Sequence, residues 1–220
     1  MTKVCIIGAN RGIGLALTRQ YVSRGVEVIA VCRRASPELN TLKTRVIEEI
    51  NVTEGRSLRQ LAHQLQGEKL DLLIHNAGIL HRDAFDNFDL DSLRTQFEVN
   101  TLAPLQMVRT LKNNLQAGSK VAVITSRMGS IEDNTSGGYY GYRVSKAGVN
   151  MVVKNLSLDL QAEQIAVGVF HPGYVQTDMT GQRGDVSADE CAHNLVARFD
   201  GLSMATTGQF FHAKGEALPW

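Results

Sequence analysis

The 220-residue chain has three cysteines, four prolines, one tryptophan and almost no net charge. Cys5, Cys32 and Cys191 are odd in number and far apart. They cannot form the even, closely spaced set of a disulfide framework, so buried thiols in a reducing compartment, the cytoplasm, are expected. A formal net charge of +1 supplies no broad field to draw the chain onto nucleic acid or an anionic membrane. No apolar run approaches the roughly 20 residues of a membrane-spanning helix. The first apolar run, residues 4–7, breaks at Gly8 and is too short for the apolar core of a signal peptide. The six histidines show no HExxH or other ligand spacing, so no metal site is expected. Low-complexity tracts, linkers and internal repeats are also missing. One domain spanning 1–220 is expected, and a chain 43% hydrophobic can fill its core.

The elements that are present follow a regular order. Short apolar, β-branched runs at 4–7, 27–31, 45–49, 70–74, 120–125 and 166–170, with a weaker one at 209–211, alternate with longer amphipathic patterns at 13–24, 56–66, 90–115, 140–162 and 187–199. Strands apolar along their whole length are buried on both faces, and intervening helices make their sheet parallel. The expected fold class is α/β: a single Rossmann-like, doubly wound domain, its seven-stranded sheet mainly parallel, with helices on both faces. Such sheets bind ligands beyond the carboxyl ends of their strands, near the switch point.

The first strand runs into Gly8, Ala9, Asn10, Arg11, Gly12, Ile13 and Gly14. Glycines permit a tight turn and close approach of a pyrophosphate, and the helix that follows offers free N–H groups and the positive end of its dipole. The spacing is GxxxGxG, not the GxGxxG of the usual dinucleotide fingerprint, and alone it leaves a plain glycine-rich turn open. The second strand ends in Arg33 and Arg34. An acid there would hold the ribose hydroxyls of NAD, whereas arginines suit a phosphate on that ribose, with Arg11 closing from the glycine loop. NADP is therefore the expected cofactor, NADPH being preferred over NADH. Strand four runs into His75, Asn76, Ala77 and Gly78; strand five into Ser126, Arg127, Met128 and Gly129; strand six into His171, Pro172 and Gly173.

The stretch GYYGYRVSK at 138–146 sets two tyrosine–cation pairs one helical turn apart, Tyr139 with Arg143 and Tyr142 with Lys146. Upstream, Pro104 follows Asn100 by four residues. A proline has no N–H, so the carbonyl of Asn100 is left free and the helix bends.

In order along the chain stand the GxxxGIG loop, the NAG turn, Asn100, Ser126, the Tyr142-xxx-Lys146 pair and the PG segment. With these the chain resembles the short-chain dehydrogenase/reductase superfamily over nearly its whole length. Within it, SRMGSIEDNTSGGYYGYRVSK and the ending GEALPW are similar to carbonyl reductases of the sniffer and C-factor type. The resemblance implies an NADP-dependent oxidoreductase interconverting a carbonyl (aldehyde, ketone or quinone) and an alcohol. It implies Tyr142 as the acid/base and Ser126 as the hydroxyl holding the substrate oxygen. Lys146 would bond the nicotinamide ribose and, with the positive nicotinamide ring of the oxidised cofactor, help acidify the phenol. The main-chain carbonyl of Asn100 would hold a water leading from Lys146 to solvent. A free tyrosine has a pKa of about 10, and a shift of about 3 units is worth roughly 4 kcal/mol. The implied cofactor contacts are Gly8, Asn10, Arg11, Gly12, Ile13, Gly14, Arg33, Arg34, Asn51, Val52, Asn76, Ala77, Gly78, Tyr142, Lys146, Pro172, Gly173, Val175 and Thr177. Tyr139 and Tyr140 fall to the substrate mouth or to packing, and Thr125 is the neighbour set aside in favour of Ser126.

Several positions depart from the common pattern. Ile7 stands where a threonine is frequent, His75 where a second asparagine is, and Asn51 where an aspartate meets the adenine. The loop 132–138 is longer than in many relatives and is expected to wall the site. Only 180–186 remains of the segment that closes over substrate, so a short lid and an open site accepting several carbonyls are expected. Helices 90–115 and 140–162 are apolar on more than one side, so a homodimer or homotetramer through them is expected. The rival reading is a non-catalytic dinucleotide-binding signalling protein of C-factor type, since fold alone does not give function. Too little chain follows Gly173 for the substrate domain of an extended epimerase or dehydratase.

Overall fold

Strand residues that are apolar without interruption need cover on both sides, and two helical layers supply it. The computed structural model describes residues 2–220. Strands β1 (Lys3–Ile7), β2 (Glu27–Val31), β3 (Arg45–Ile47), β4 (Leu72–His75), β5 (Lys120–Ile124), β6 (Ala166–His171) and β7 (Phe210–His212) form one sheet. Its order is β3-β2-β1-β4-β5-β6-β7, and every adjacent pair is parallel, not merely most of them. Around it lie α1 (Gly12–Ser23), α2 (Pro37–Asn40), α3 (Gly55–Gln64), α4 (Leu90–Phe97), α5 (Ala103–Thr110), α6 (Tyr140–Asp159) and α7 (Ala188–Gly201).

Alternate strand residues divide the core in two. Cys5, Ile7, Val31, Leu73 and Val123 belong to the layer with Leu61 of α3, Met107 of α5 and Val149 and Val153 of α6. Val4, Ile6, Ala30, Leu72 and Ile74 pack with Leu17 and Tyr21 of α1 and Leu195 and Phe199 of α7. Full burial of an aliphatic or aromatic side chain of this size stabilises by roughly 1.5–3 kcal/mol. No helix among the described residues is long and apolar enough to cross a membrane.

Three departures from the expected elements have local causes. Strand β4 begins at Leu72 rather than at residue 70, because Leu70 N–H is spent on the Asn114 carbonyl. The short α2 is too brief to show a helical period in the sequence; Ser36 caps it by accepting from Leu39 N at 3.1 Å, with Pro37 in its first turn. The expected helix 90–115 is interrupted. After α4 the chain widens into a π-helical turn at Glu98–Leu102, in which Ala103 N–H reaches back to the Glu98 carbonyl, before α5 and a 3₁₀ turn at Lys112–Asn114. Pro104, lacking an N–H, cannot sustain the regular ladder there. The widened turn carries Asn100.

From β1 the chain winds outward to β2 and β3, then returns to β4 on the other side of β1. The carboxyl ends of β1 and β4 therefore flank the crevice where ligands bind in such sheets.

Candidate active site

At that crevice the first and fourth strand turns are stitched together. The Ile7 carbonyl accepts from Asn76 N and Ala77 N, both at 3.0 Å, and Asn76 Nδ2 donates to the Gly8 carbonyl at 2.9 Å. Gly8 has φ +85°, and a Cβ there would lie 2.8 Å from Ala77 N. Gly14 is needed for another reason. A Cβ on it would run into the Gly8 carbonyl oxygen and lie 2.7 Å from Asn76 Nδ2. Gly14 thus lets α1 start hard against β1. Arg11 is the N-cap of α1 but makes no side-chain cap, and the first turn holds no acid. The first-turn amides remain available to an anion.

These turns border a cleft of about 230 Å³. Gly8, Asn10, Arg11, Gly12, Ile13, Arg33, Asn51, Val52, Asn76, Ala77, Gly78, Tyr142, Lys146, Pro172 and Thr177 line it. Gly14 and Arg34 do not, and Gly173 and Val175 line an adjoining cavity instead. Arg33 is exposed and bonded to no carboxylate. Arg11 pairs with Asp178 at 3.0 Å, in a solvent-exposed bridge that a stronger anion could replace. The Asn51 amide is occupied locally: Oδ1 accepts from Thr53 N and Oγ1 at 3.3 and 3.0 Å, and Nδ2 donates to Glu54 Oε1 at 2.6 Å.

Helix α6 delivers the tyrosine and the lysine. Gly137, Gly138 and Tyr139 all have positive φ (+63°, +64° and +51°), so the helix proper begins at Tyr140. Asp83 caps it, accepting from Tyr140 N and from Gly141 N, the latter at 3.0 Å. The Arg143 guanidinium is turned away from Tyr139: it donates to the carbonyls of Gly137 (3.2 Å) and Gly138 (3.1 Å) and to Ser136 Oγ (2.8 Å). It staples the loop and forms no pair with that phenol. Tyr142 and Lys146, 7% and 5% exposed, face inward one turn apart, with Lys146 Nζ 5.7 Å from the Tyr142 ring centroid and donating to the Ile124 carbonyl at 3.1 Å.

The two neighbouring hydroxyls after β5 have different partners. Thr125 Oγ1 donates to buried Asn150 Oδ1 at 2.7 Å, whereas Ser126 Oγ accepts from Met128 N at 3.1 Å and borders the same cavity as Tyr142. Asn100 uses its whole side chain as a clamp. Oδ1 accepts from Ile79 N at 2.9 Å, and Nδ2 donates to Ile79 O at 2.8 Å and Ser145 Oγ at 3.0 Å. It pins the segment after β4 to α6, close to Lys146.

Beyond Tyr142 lies a second cavity, of about 560 Å³, bordered by Ser126, Tyr139, His171, Tyr174 and Met179. Tyr142 belongs to both spaces. The segment between β6 and α7 folds back on itself, with Gln176 N bonded to Val186 O at 3.0 Å and Asp185 N to Tyr174 O at 2.7 Å. Tyr174 and Met179 stand half exposed at the rim. Of the loop 132–138, only Asp133 reaches the cavity.

The family model described as short chain dehydrogenase matches residues 2–187. The chain belongs to the short-chain dehydrogenase family. This short-chain dehydrogenase is 38% identical over 226 residues, the whole of both chains, to a 1-hydroxy-2-glutathionyl-2-methyl-3-butene dehydrogenase of Rhodococcus sp. (strain AD45). It is 37% identical over 166 residues, 74% of its own length and all of the relative's, to the C-signal of Myxococcus xanthus. Among solved structures, carbonyl reductase Sniffer of D. melanogaster superposes with a TM-score of 0.93 at 25% identity, each chain fully covered. A carbonyl reductase from Pseudomonas aeruginosa PAO1 in complex with NADP gives 0.89 at 29% identity, again over both whole chains. The family is one of oxidoreductases, and the sniffer and C-factor resemblance is the right branch.

The electrostatics of this short-chain dehydrogenase differ from the sequence expectation in one respect. Burial pushes the Tyr142 phenol up to about 12, with the nearby Ser126 hydroxyl pulling only partly the other way, and burial pushes Lys146 down to about 8. In the chain by itself desolvation dominates at the phenol, with Lys146 Nζ 5.7 Å from the ring centroid. At neutral pH the phenol is protonated, which is the form that donates. His75, in sequence only a departure from the common pattern, lies fully buried near Lys146 with no partner for Nε2. Burial first, and the Lys146 charge second, push it down to about 3. Ile79, Val99, Asp178 and Met179 in the cleft, and Leu80, Arg82 and Arg143 in the second cavity, are not marked as site residues by the sequence. They sit on connections whose spacing carries no motif, and only the topology gathers them.

Proposed function

We propose that the protein is an NADP-dependent carbonyl reductase that converts an aldehyde, ketone or quinone to an alcohol, or runs the reverse reaction. The observation that carries this is the position of Tyr142: its ring lines the cleft behind the glycine loop, and also the neighbouring cavity beside Ser126. The uncapped first turn of α1 and the acid-free end of β2 fit a dinucleotide with a phosphorylated ribose. Such a cofactor, held by the glycine loop and Arg33, would supply the hydride. Ser126 orients the substrate oxygen. Tyr142, protonated at neutral pH, gives that oxygen a proton. Lys146 would hold the ribose of that cofactor and would return a proton to Tyr142 through a water on the Asn100 carbonyl. The Rhodococcus relative is named for an alcohol bearing a glutathionyl group, and a large side group of that kind suits the larger cavity.

The C-signal likeness does not favour a purely binding role, because Ser126, Tyr142 and Lys146 are all present and assembled. A homodimer or homotetramer is part of this reading. Val144, Met151 and Leu158 make an exposed apolar stripe at seven-residue spacing along α6, beside half-exposed Phe97 and Leu105. The three buried free thiols suit the cytoplasm. The test is oxidation of NADPH and NADH against a panel of aldehydes, ketones and quinones. NADPH is expected to be preferred, and the preference to fall about tenfold in Arg33→Ala, one charge-assisted phosphate contact being worth about 1.4 kcal/mol. Arg34→Ala should do less, since Arg34 does not border the cleft. No turnover with any carbonyl, or equal use of both nucleotides by the unaltered protein, would overturn the reading.

A further inference from the structure

The second cavity is unevenly charged. Three arginines, Arg82, Arg127 and Arg143, border it against one acid, Asp133. That acid is taken: Arg127 Nε lies 3.1 Å from Asp133, and its NH2 lies 3.1 Å from Glu216. Arg127 is therefore neutralised twice. Arg143 bonds neutral groups, Ser136 Oγ and the carbonyls of Gly137, Gly138 and, at 3.5 Å, Met128, so its charge stays uncompensated while its guanidinium is held still. Arg82 is exposed and has no carboxylate within ion-pair distance.

The fold brings these two cations to one rim. Tyr139 N donates to the Asp83 carbonyl at 3.0 Å, and the Asp83 carboxylate caps α6 at Gly141 N, also at 3.0 Å. Arg82 is thereby tied to the turn that holds Arg143. Asp83 itself does not border the cavity, and its charge is spent on the helix N-terminus. The histidine there, His171, is pushed down to about 3 by burial, by neighbouring His212 and by Arg127, so it adds no charge at neutral pH. A guanidinium held beside a cavity recognises a carboxylate by charge-assisted, often bidentate bonds.

We propose that Arg82 and Arg143 select substrates in which the carbonyl or alcohol group carries a carboxylate at its far end, an inference that rests on the carbonyl-reductase reading of the same site. The carbonyl would lie between Ser126 and Tyr142 and the carboxylate at the rim.

The test compares ω-oxo carboxylates of graded chain length with the ω-oxo amides of the same lengths, as substrates with NADPH. The acid is expected to exceed its amide in kcat/KM by about tenfold at the best length, mainly through KM, with the advantage shrinking in high salt. Arg82→Gln, which removes no internal bond, should lower the acid-to-amide ratio several-fold, and Arg82→Glu should bring it below one. Turnover of both series with no discrimination, or a ratio untouched by Arg82→Glu, would overturn this inference and leave the carbonyl-reductase reading standing. Turnover of neither series, nor of any neutral carbonyl, would overturn both.

Discussion

Replacing Lys146 by methionine keeps the length of the side chain and removes its charge. In the folded protein the ammonium is buried and its pKa is pushed down from 10.5 to about 8. The sign follows from linkage: between pH 8 and 10.5 the unfolded chain binds more protons than the folded one, so stability rises with pH across that window. At pH 7 burial of the charge costs about 3 kcal/mol, and at pH 10 about 1 kcal/mol, taking 1.36 kcal/mol per unit. Losing the bond to the Ile124 carbonyl removes about 1–2 kcal/mol from the variant. Lys146→Met should therefore be more stable than the parent by about 1–2 kcal/mol at pH 7, and no more stable at pH 10, while losing turnover. Urea unfolding of both proteins at the two pH values measures this, and the change in their difference, about 2–3 kcal/mol, is the diagnostic. A stability difference that does not move with pH would refute the claim that a buried charge sits beside Tyr142.

The depressed pKa of His75 gives a second pH effect. Its unfolded form protonates below about 6.5 while the folded form stays neutral to about 3, so His75 should contribute about 2 kcal/mol to the stability lost from pH 7 to pH 5, beside a like contribution from His171. Denaturant midpoints of the parent and of His75→Gln would show the variant losing less, and an equal loss in both would count against a neutral, buried ring. Gly14→Ala should cost about 3 kcal/mol or more, because the new methyl meets the Gly8 carbonyl and the Asn76 amide, backbone and a fixed side chain that cannot retreat. A melting temperature within a degree or two of the parent would contradict that packing.

Much of the molecule is legible in the sequence because its signals are local and repeated. Apolar runs such as 120–125 can only be buried strands, and the alternation with helices fixes a parallel sheet. Tyr142 and Lys146 are legible for the same reason: one helical turn relates them, and a helix keeps that relation. What is not legible depends on long-range packing. Nothing in the spacing of residues 90–115 shows that Pro104 is accommodated by a π-helical turn upstream rather than by a simple bend. Gly14 reads as a phosphate-loop glycine, but its lack of a side chain serves the contact between α1 and β1. The pairing of Arg11 with Asp178 joins residues far apart in sequence that only the switch point brings together. The phenol's high pKa is not legible at all, because it depends on how completely the fold removes water from Tyr142, and a motif does not state burial.

The central claim is that Tyr142, and no other tyrosine of the 138–146 stretch, delivers the proton. Single-turnover reduction of a carbonyl by NADPH in Tyr142→Phe and Tyr139→Phe, with nucleotide binding measured in parallel, tests it most directly. Tyr142→Phe should lose at least about 10²-fold in rate and keep its affinity for NADPH, while Tyr139→Phe stays within a few-fold of the parent. A Tyr142→Phe protein that turns over at near the parental rate, or a Tyr139→Phe protein that does not turn over at all, would contradict the account.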